Sequence, residues 1–212
     1  MKEIKVKITF TEEILGTSPS DPEVYRQYIA SKSEDAAKIE EEVAALGVDE
    51  VVDKARTIFP KNANGELIYW DYQLKGFFKD AVGMLRNVKG TVCSKLTAYK
   101  KKIDGLLFIT PRQIEFENIT MIGDCQRPLR AQTAQGERIA IAVSDTINAG
   151  ATLTFTVILL QDDLEAMVRE CLDYGKLRGL GQWRNSGKGV FVWDEFNEKG
   201  EIIGGNNEFE KK

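Results

Sequence analysis

The sequence contains no histidine in 212 residues. That absence excludes Ser-His-Asp hydrolysis, imidazole acid–base chemistry and histidine-ligated metal sites. Cysteine is scarce too. Cys93, Cys125 and Cys171 are the only three, they are scattered, and no two lie at metal-ligand spacing. An odd, dispersed set does not make a disulfide framework, so the expectation is buried or partly buried thiols in a reducing compartment. A nucleophilic cysteine would lack its usual base. Long apolar runs are missing: a stretch such as residues 157–160 is far too short to cross a bilayer. Residues 1–10 alternate charged and apolar side chains, unlike a signal peptide. The chain is therefore expected to be a soluble cytoplasmic protein with no membrane partner. Nor is charge of one sign in excess. With 29 Lys+Arg against 33 Asp+Glu the net is −4, which excludes a uniformly basic nucleic-acid binder but not a locally basic one.

What is present is ordinary for a globular chain: 42% hydrophobic and 29% charged residues, enough for one sizeable core. Ile4, Val6, Ile8 and Phe10 alternate with Lys5, Lys7 and Thr9, which predicts an opening half-buried strand. Residues from about 20 to 58 read as a helical insertion after that strand, carrying the acidic run Glu34, Asp35, Glu40, Glu41 and Glu42. Leu74, Phe77, Phe78, Ala81, Val82 and Leu85 recur at helical spacing. Residues 106–109 predict a buried strand broken by Pro111, with alternation resuming at Ile114 and Phe116. Residues 123–134 read as a loop. Ile139, Ile141 and Val143, the turn at Asn148, Ala149 and Gly150, and then Leu153, Phe155, Val157 and Leu159 predict a β-hairpin. Asp162 and Glu165 suggest a capping box for a helix carrying Met167, Val168, Cys171 and Leu172, ended by Gly175. A final strand holds Val190 and Val192. A polar acidic tail follows over residues 197–212 and is expected to fray. This order predicts one domain over residues 1–196. Its class is α+β: a ferredoxin-like (RRM-like) antiparallel sheet with helices on one face, plus the helical insertion after strand 1.

Charge is segregated along the chain. Residues 81–103 contain no acid but hold Arg86, Lys89, Lys95, Lys100, Lys101 and Lys102. Arg112, Arg127, Arg130 and Arg138 follow, and a further basic set surrounds the most distinctive stretch, residues 179–189. There Gly179, Gly181, Gly187 and Gly189 are interleaved with Trp183, Arg184, Asn185, Ser186 and Lys188. Glycines spaced like this suit backbone amides that approach an anion closely. They equally suit a structural crossover loop passing tightly over a sheet. The segment is not a P-loop: five residues separate Gly181 from Gly187, Gly189 stands where Ser or Thr is needed, and a strand follows instead of a helix. It also lacks the strand–loop–helix order of a dinucleotide fingerprint.

Helix, basic glycine-rich loop and terminal strand together resemble the C-terminal glycine-rich loop of the RAMP superfamily, which supplies RNA-binding backbone subunits and processing nucleases of CRISPR systems. Residues 74–79, Leu-Lys-Gly-Phe-Phe-Lys, resemble the Leu-Lys-Gly helix-start motif of type III backbone subunits. Where that family often carries Gly-Ser-Ser before the motif, this chain has Asp71, Tyr72 and Gln73. Residues 139–160, with Ala149 and Gly150 at the turn, resemble a third family segment. The likeness runs from about Ile68 to Val192 and extends to small prophage-encoded proteins.

The resemblance implies single-stranded RNA held by its backbone, and self-assembly or membership of a CRISPR-type complex. Lys75 and Gly76 would act at the helix start, and Gly179, Gly181, Arg184, Ser186, Gly187 and Lys188 in the loop. Arg184 and Lys188 would neutralise phosphates, and Trp183 would stack on a base or else plug the core. No cofactor, metal or catalytic residue is expected. Two other readings remain: a mobile-element interaction module, either a homo-oligomer or a decoy of a host CRISPR complex, and a metal-dependent ribonuclease using a loop aspartate such as Asp21, Asp71 or Asp124.

Overall fold

A computed structural model describes residues 1–20, 56–133 and 136–207. β1 (Lys2–Phe10) follows its predicted alternation. Ile4, Val6, Ile8 and Phe10 are almost fully buried, and Lys5 is exposed. It pairs antiparallel with β10 (Thr152–Leu159) on one side and β11 (Phe191–Phe196) on the other. β10 pairs in turn with β6 (Leu107–Thr110) and β7 (Gln113–Glu117). α1 (Asp71–Leu85) lies between β1 and β6 in the chain, and α3 (Glu165–Arg178) lies between β10 and β11. The spatial order β11-β1-β10 with β6 and β7 beyond it, all antiparallel, is the βαββαβ arrangement of a ferredoxin-like sheet. The edges are extended by β5 (Ile68–Trp70) and β12 (Ile202–Gly205).

The helices pack on one face because their apolar stripes match the inward positions of β1 and β10. Leu74, Phe77, Phe78, Ala81 and Val82 of α1, and Met167, Val168, Cys171 and Leu172 of α3, join the strand residues in one core. Gly175 does not end α3, which runs three residues further. A Cβ there would lie 2.2 Å from the Phe191 ring, which is itself boxed by Phe10 and Phe77. The glycine is thus a packing device that lets β11 approach the helix. Cys93 and Cys171 are fully buried with their sulfurs 4.0 Å apart, and burial pushes the Cys171 thiol well up. Cys125 is half-buried.

Several local expectations change. Residues 123–133 are not a loop: β8 (Ile122–Thr133) pairs in continuous register with β9 (Gly136–Ile147), from Ile122↔Ile147 to Thr133↔Gly136. Its polar composition and Pro128 hid a strand that is stabilised by its partner. The predicted hairpin across Asn148 is absent. β9 pairs with β8, β2 (Ile14–Leu15) and β4 (Arg56–Ile58), while β10 stays in the first sheet. The turn is a corner between sheets. Asn148 Oδ1 accepts the Thr120 and Met121 amides, and the Gly150 amide reaches the Phe10 carbonyl. The Asp162 capping box is replaced by a 3-10 turn over Asp162–Leu164, and Glu165 instead engages Lys2 and Arg169. A further helix, α2 (Tyr99–Leu106), escapes the periodicity because it buries only Ile103. Residues 202–205, expected to fray, form the edge strand β12 on β11.

The predicted helical insertion falls mainly on residues 21–55, outside the described residues. Its flanks are described. β3 (Ser18–Pro19) pairs antiparallel with β4, and the Ser20 amide donates to the Arg56 carbonyl at 3.0 Å. Arg56–Ile58 belong to that strand and not to a helix.

Candidate nucleic-acid interface

The glycine-rich segment links α3 to β11, and its neck closes on itself. The Leu180 amide donates to the Gly189 carbonyl at 2.8 Å, and the Gly189 amide donates to the Glu13 carbonyl at 2.9 Å. Both neck glycines have positive φ, 69° at Gly179 and 70° at Gly189. A Cβ at Gly179 would lie 2.6 Å from the Gly189 backbone, and one at Gly189 would lie 2.0 Å from the Leu180 carbonyl oxygen. Leu180 is driven into the core at the neck. A Cβ at Gly181 would lie 2.7 Å from the Leu15 carbonyl oxygen of β2. These three glycines therefore serve chain passage, as the crossover reading expects. Gly187 is different: its φ is 83° and space around it is open. It terminates the 3-10 turn Arg184–Ser186, where the Ser186 hydroxyl donates to the Trp183 carbonyl.

Trp183 is not a core plug. It is 43% exposed, and the Arg127 guanidinium of β8 sits 5.4 Å from its ring centroid while donating to Gln182 Oε1. Arg184 Nη1 donates to Asp80 Oδ2 of α1 at 2.8 Å, and Arg178 Nε donates to the same oxygen at 3.0 Å. Arg178 also reaches Asn185. The loop is thus clamped to α1 through one carboxylate. Lys188 pairs with Glu13 at 2.6 Å, and that hydrogen bond raises the lysine's pKa.

Between α1 and the loop lies a cleft of about 230 Å³. Gln73, Gly76, Phe77 and Asp80 line it from α1, and Leu180, Gly181 and Arg184 from the loop, with Tyr69, Tyr72 and Thr17 at its walls. Gln73 is fixed at both ends of its amide: Oε1 accepts the Trp70 amide, capping α1, and Nε2 donates to Thr17 Oγ1. Gly76, Gly181 and Arg184 are therefore brought together. Lys75 and Lys188 do not line the cleft. Lys75 turns to α2 and β6, donates to the Asp104 carbonyl at 2.8 Å and lies 4.8 Å from the Phe108 ring centroid; burial lowers its pKa. Sequence reasoning missed Asp80, Gln73 and Arg127. Gln73, Gly76 and Asp80 recur at i, i+3 and i+7, a polar stripe beside the apolar one, and that spacing was the available signal.

Asp71 pairs with Arg112 at 3.8 Å, Asp124 is exposed on β8, and Asp21 lies outside the described residues. Among the described residues no three Cys, Asp or Glu side chains gather as a metal-ligating group, and no helix is long and apolar enough to cross a membrane.

No family model and no curated protein matches the sequence. Among solved structures, the chain has a weak likeness to a chain of the type III-B Cmr-beta complex determined by cryo-EM bound to cognate target RNA. The identity is 12% and the TM-score 0.48. The match covers 97% of this chain and 60% of that one, so this chain spans about three-fifths of its neighbour's length.

Proposed function

We propose that this protein is a non-catalytic RAMP-like module that binds single-stranded RNA along its backbone. The observation that carries the reading is the cleft itself. The helix-start motif and the glycine-rich loop are remote in sequence, yet Gly76 meets Gly181 and Arg184 there. Arg184 gives Asp80 one Nη1 hydrogen bond, and a guanidinium has five N–H donors, so it retains capacity for a phosphate. Trp183, next to Arg184 in the chain, offers a half-exposed ring for a base. Fluorescence anisotropy with a labelled single-stranded RNA over about 50–300 mM salt tests the reading. Affinity should fall steeply with salt, and Trp183→Ala should lose about 1–3 kcal/mol of binding if a base stacks there. Absence of binding at low salt, or a flat salt response, would overturn it. RNA cut in the presence of magnesium would replace it with the ribonuclease reading.

Self-assembly is the second part of the proposal, and β12 favours it. This edge strand exposes Ile202 and Ile203 (38% and 59%) and carries no charged residue. An uncharged apolar edge invites strand pairing with another copy. Light scattering should detect species above monomer mass, and Ile203→Lys should return them to monomer. A monomer at all concentrations would reject this part.

A further inference from the structure

The cations singled out in the loop are largely engaged within the molecule. Arg178 and Arg184 share Asp80, Lys188 holds Glu13, and Lys75 is turned onto a backbone carbonyl. The connection between α1 and α2 is different. Arg86, Lys89 and Lys95 of the connection and Lys100 and Lys101 of the first turn of α2 are all exposed, and none has a carboxylate partner among the described residues.

The fold concentrates these charges in space. The Arg86 guanidinium sits 5.3 Å from the Tyr99 ring centroid, so the end of α1 touches the start of α2. Thr91 Oγ1 donates to the Leu85 and Val88 carbonyls, folding the intervening chain back on the helix end. Glu170 of α3 accepts the Val92 and Cys93 amides, each at 2.8 Å, which fixes the loop's inner turn. Glu170 is the one carboxylate tied to this loop among the described residues, and its oxygens are turned to backbone amides. A compact loop closed at both ends thus presents three cations, and the first turn of α2 adds Lys100 and Lys101; the next acid in the chain, Asp104 of α2, pairs with Lys79 of α1.

We infer that the α1–α2 connection, with the first turn of α2, is a second phosphate-binding surface that holds the backbone of single-stranded RNA. This rests on the RNA-binding reading above and places the main electrostatic contact away from the glycine-rich loop. Polyanion binding releases counterions in proportion to the cations engaged. Lysines without carboxylate partners give this without breaking internal pairs.

The test compares two charge-matched quadruple variants of the full chain in the RNA anisotropy assay. One replaces Lys89, Lys95, Lys100 and Lys101 by Gln. The other replaces Lys5, Lys61, Lys176 and Lys199, which are dispersed over the surface, by the same residue. The first should lower the slope of log affinity against log salt by about 0.7 for each phosphate no longer neutralised, and so by about 3 for four. The second should leave the slope unchanged, and both should melt like wild type. If wild type binds and the first variant keeps its slope, the inference falls while the RNA-binding reading stands. If wild type binds phosphatidylserine vesicles but no RNA, both fall.

Discussion

Replacing Arg169 by alanine should destabilise the fold by about 3–5 kcal/mol at pH 7. Arg169 on α3 donates from Nη2 to Glu165 at 2.8 Å and to Glu195 at 2.9 Å, and from Nη1 to the second Glu195 oxygen. Glu195 lies on β11 with its side chain only 6% exposed, and its hydrogen bonds go to this guanidinium. Removing the cation leaves a buried carboxylate unpaired, which is the costly case. A pair replaced by apolar residues is not. Arg169→Met with Glu195→Leu should recover most of the loss, which separates stranded charge from a general packing defect. The pH dependence has a definite sign. Glu165 is held below its ordinary range, first by the Lys2 hydrogen bond and then by Arg169. A depressed carboxyl contributes stability above its unfolded pKa of about 4.3 and loses it as pH falls through the folded value. The share of the gap between wild type and Arg169→Ala that runs through Glu165 should be full at pH 7 and shrink as pH falls below about 4.3. Urea titrations at pH 7 and about pH 3.5 read it, and equal gaps at both would reject the account.

The second large effect is expected at the neck of the glycine-rich loop. Gly189→Ala should cost about 2–5 kcal/mol, combining the left-handed φ with a methyl driven into the Leu180 carbonyl. Gly187→Ala shares the positive φ but meets nothing within 4 Å, so only the backbone cost of about 1–2 kcal/mol applies. Thermal melts of the two variants should therefore differ clearly. If both lose stability equally, the neck is not closed as described. RNA affinity measured per folded molecule then tells chain passage from ligand contact, because a passage glycine loses fold before binding.

Where burial alone sets the pattern, the sequence was legible. β1 and β10 bury every second residue, and α1 and α3 carry stripes that match them, so the α+β class and the ferredoxin-like order were readable from periodicity. Elements that depend on a distant partner were not. β8 has no apolar alternation of its own and exists because β9 pairs with it residue for residue. The corner at Asn148 carries the same turn residues as a hairpin, and only long-range pairing tells the two apart. The candidate site was less legible. Gly76, Gly181 and Arg184 line one cleft, whereas Lys75 and Lys188, expected to converge with Arg184 in a basic groove, turn to other partners, and charge read along the chain cannot reveal that Asp80 and Glu13 occupy the loop cations.

The pairing of β3 with β4 has a consequence for how this fold varies. The two strands bring Ser20 and Arg56 side by side, so two points 36 residues apart in the sequence are joined by the sheet itself. Closing a loop across such a junction depends only logarithmically on its length, at about 0.6 kcal/mol per doubling. Changing the length or sequence of the chain between those two points therefore places little demand on the β3–β4 pairing. Evolution, or an engineer, has a port there through which new recognition elements can be fitted to an unaltered chassis.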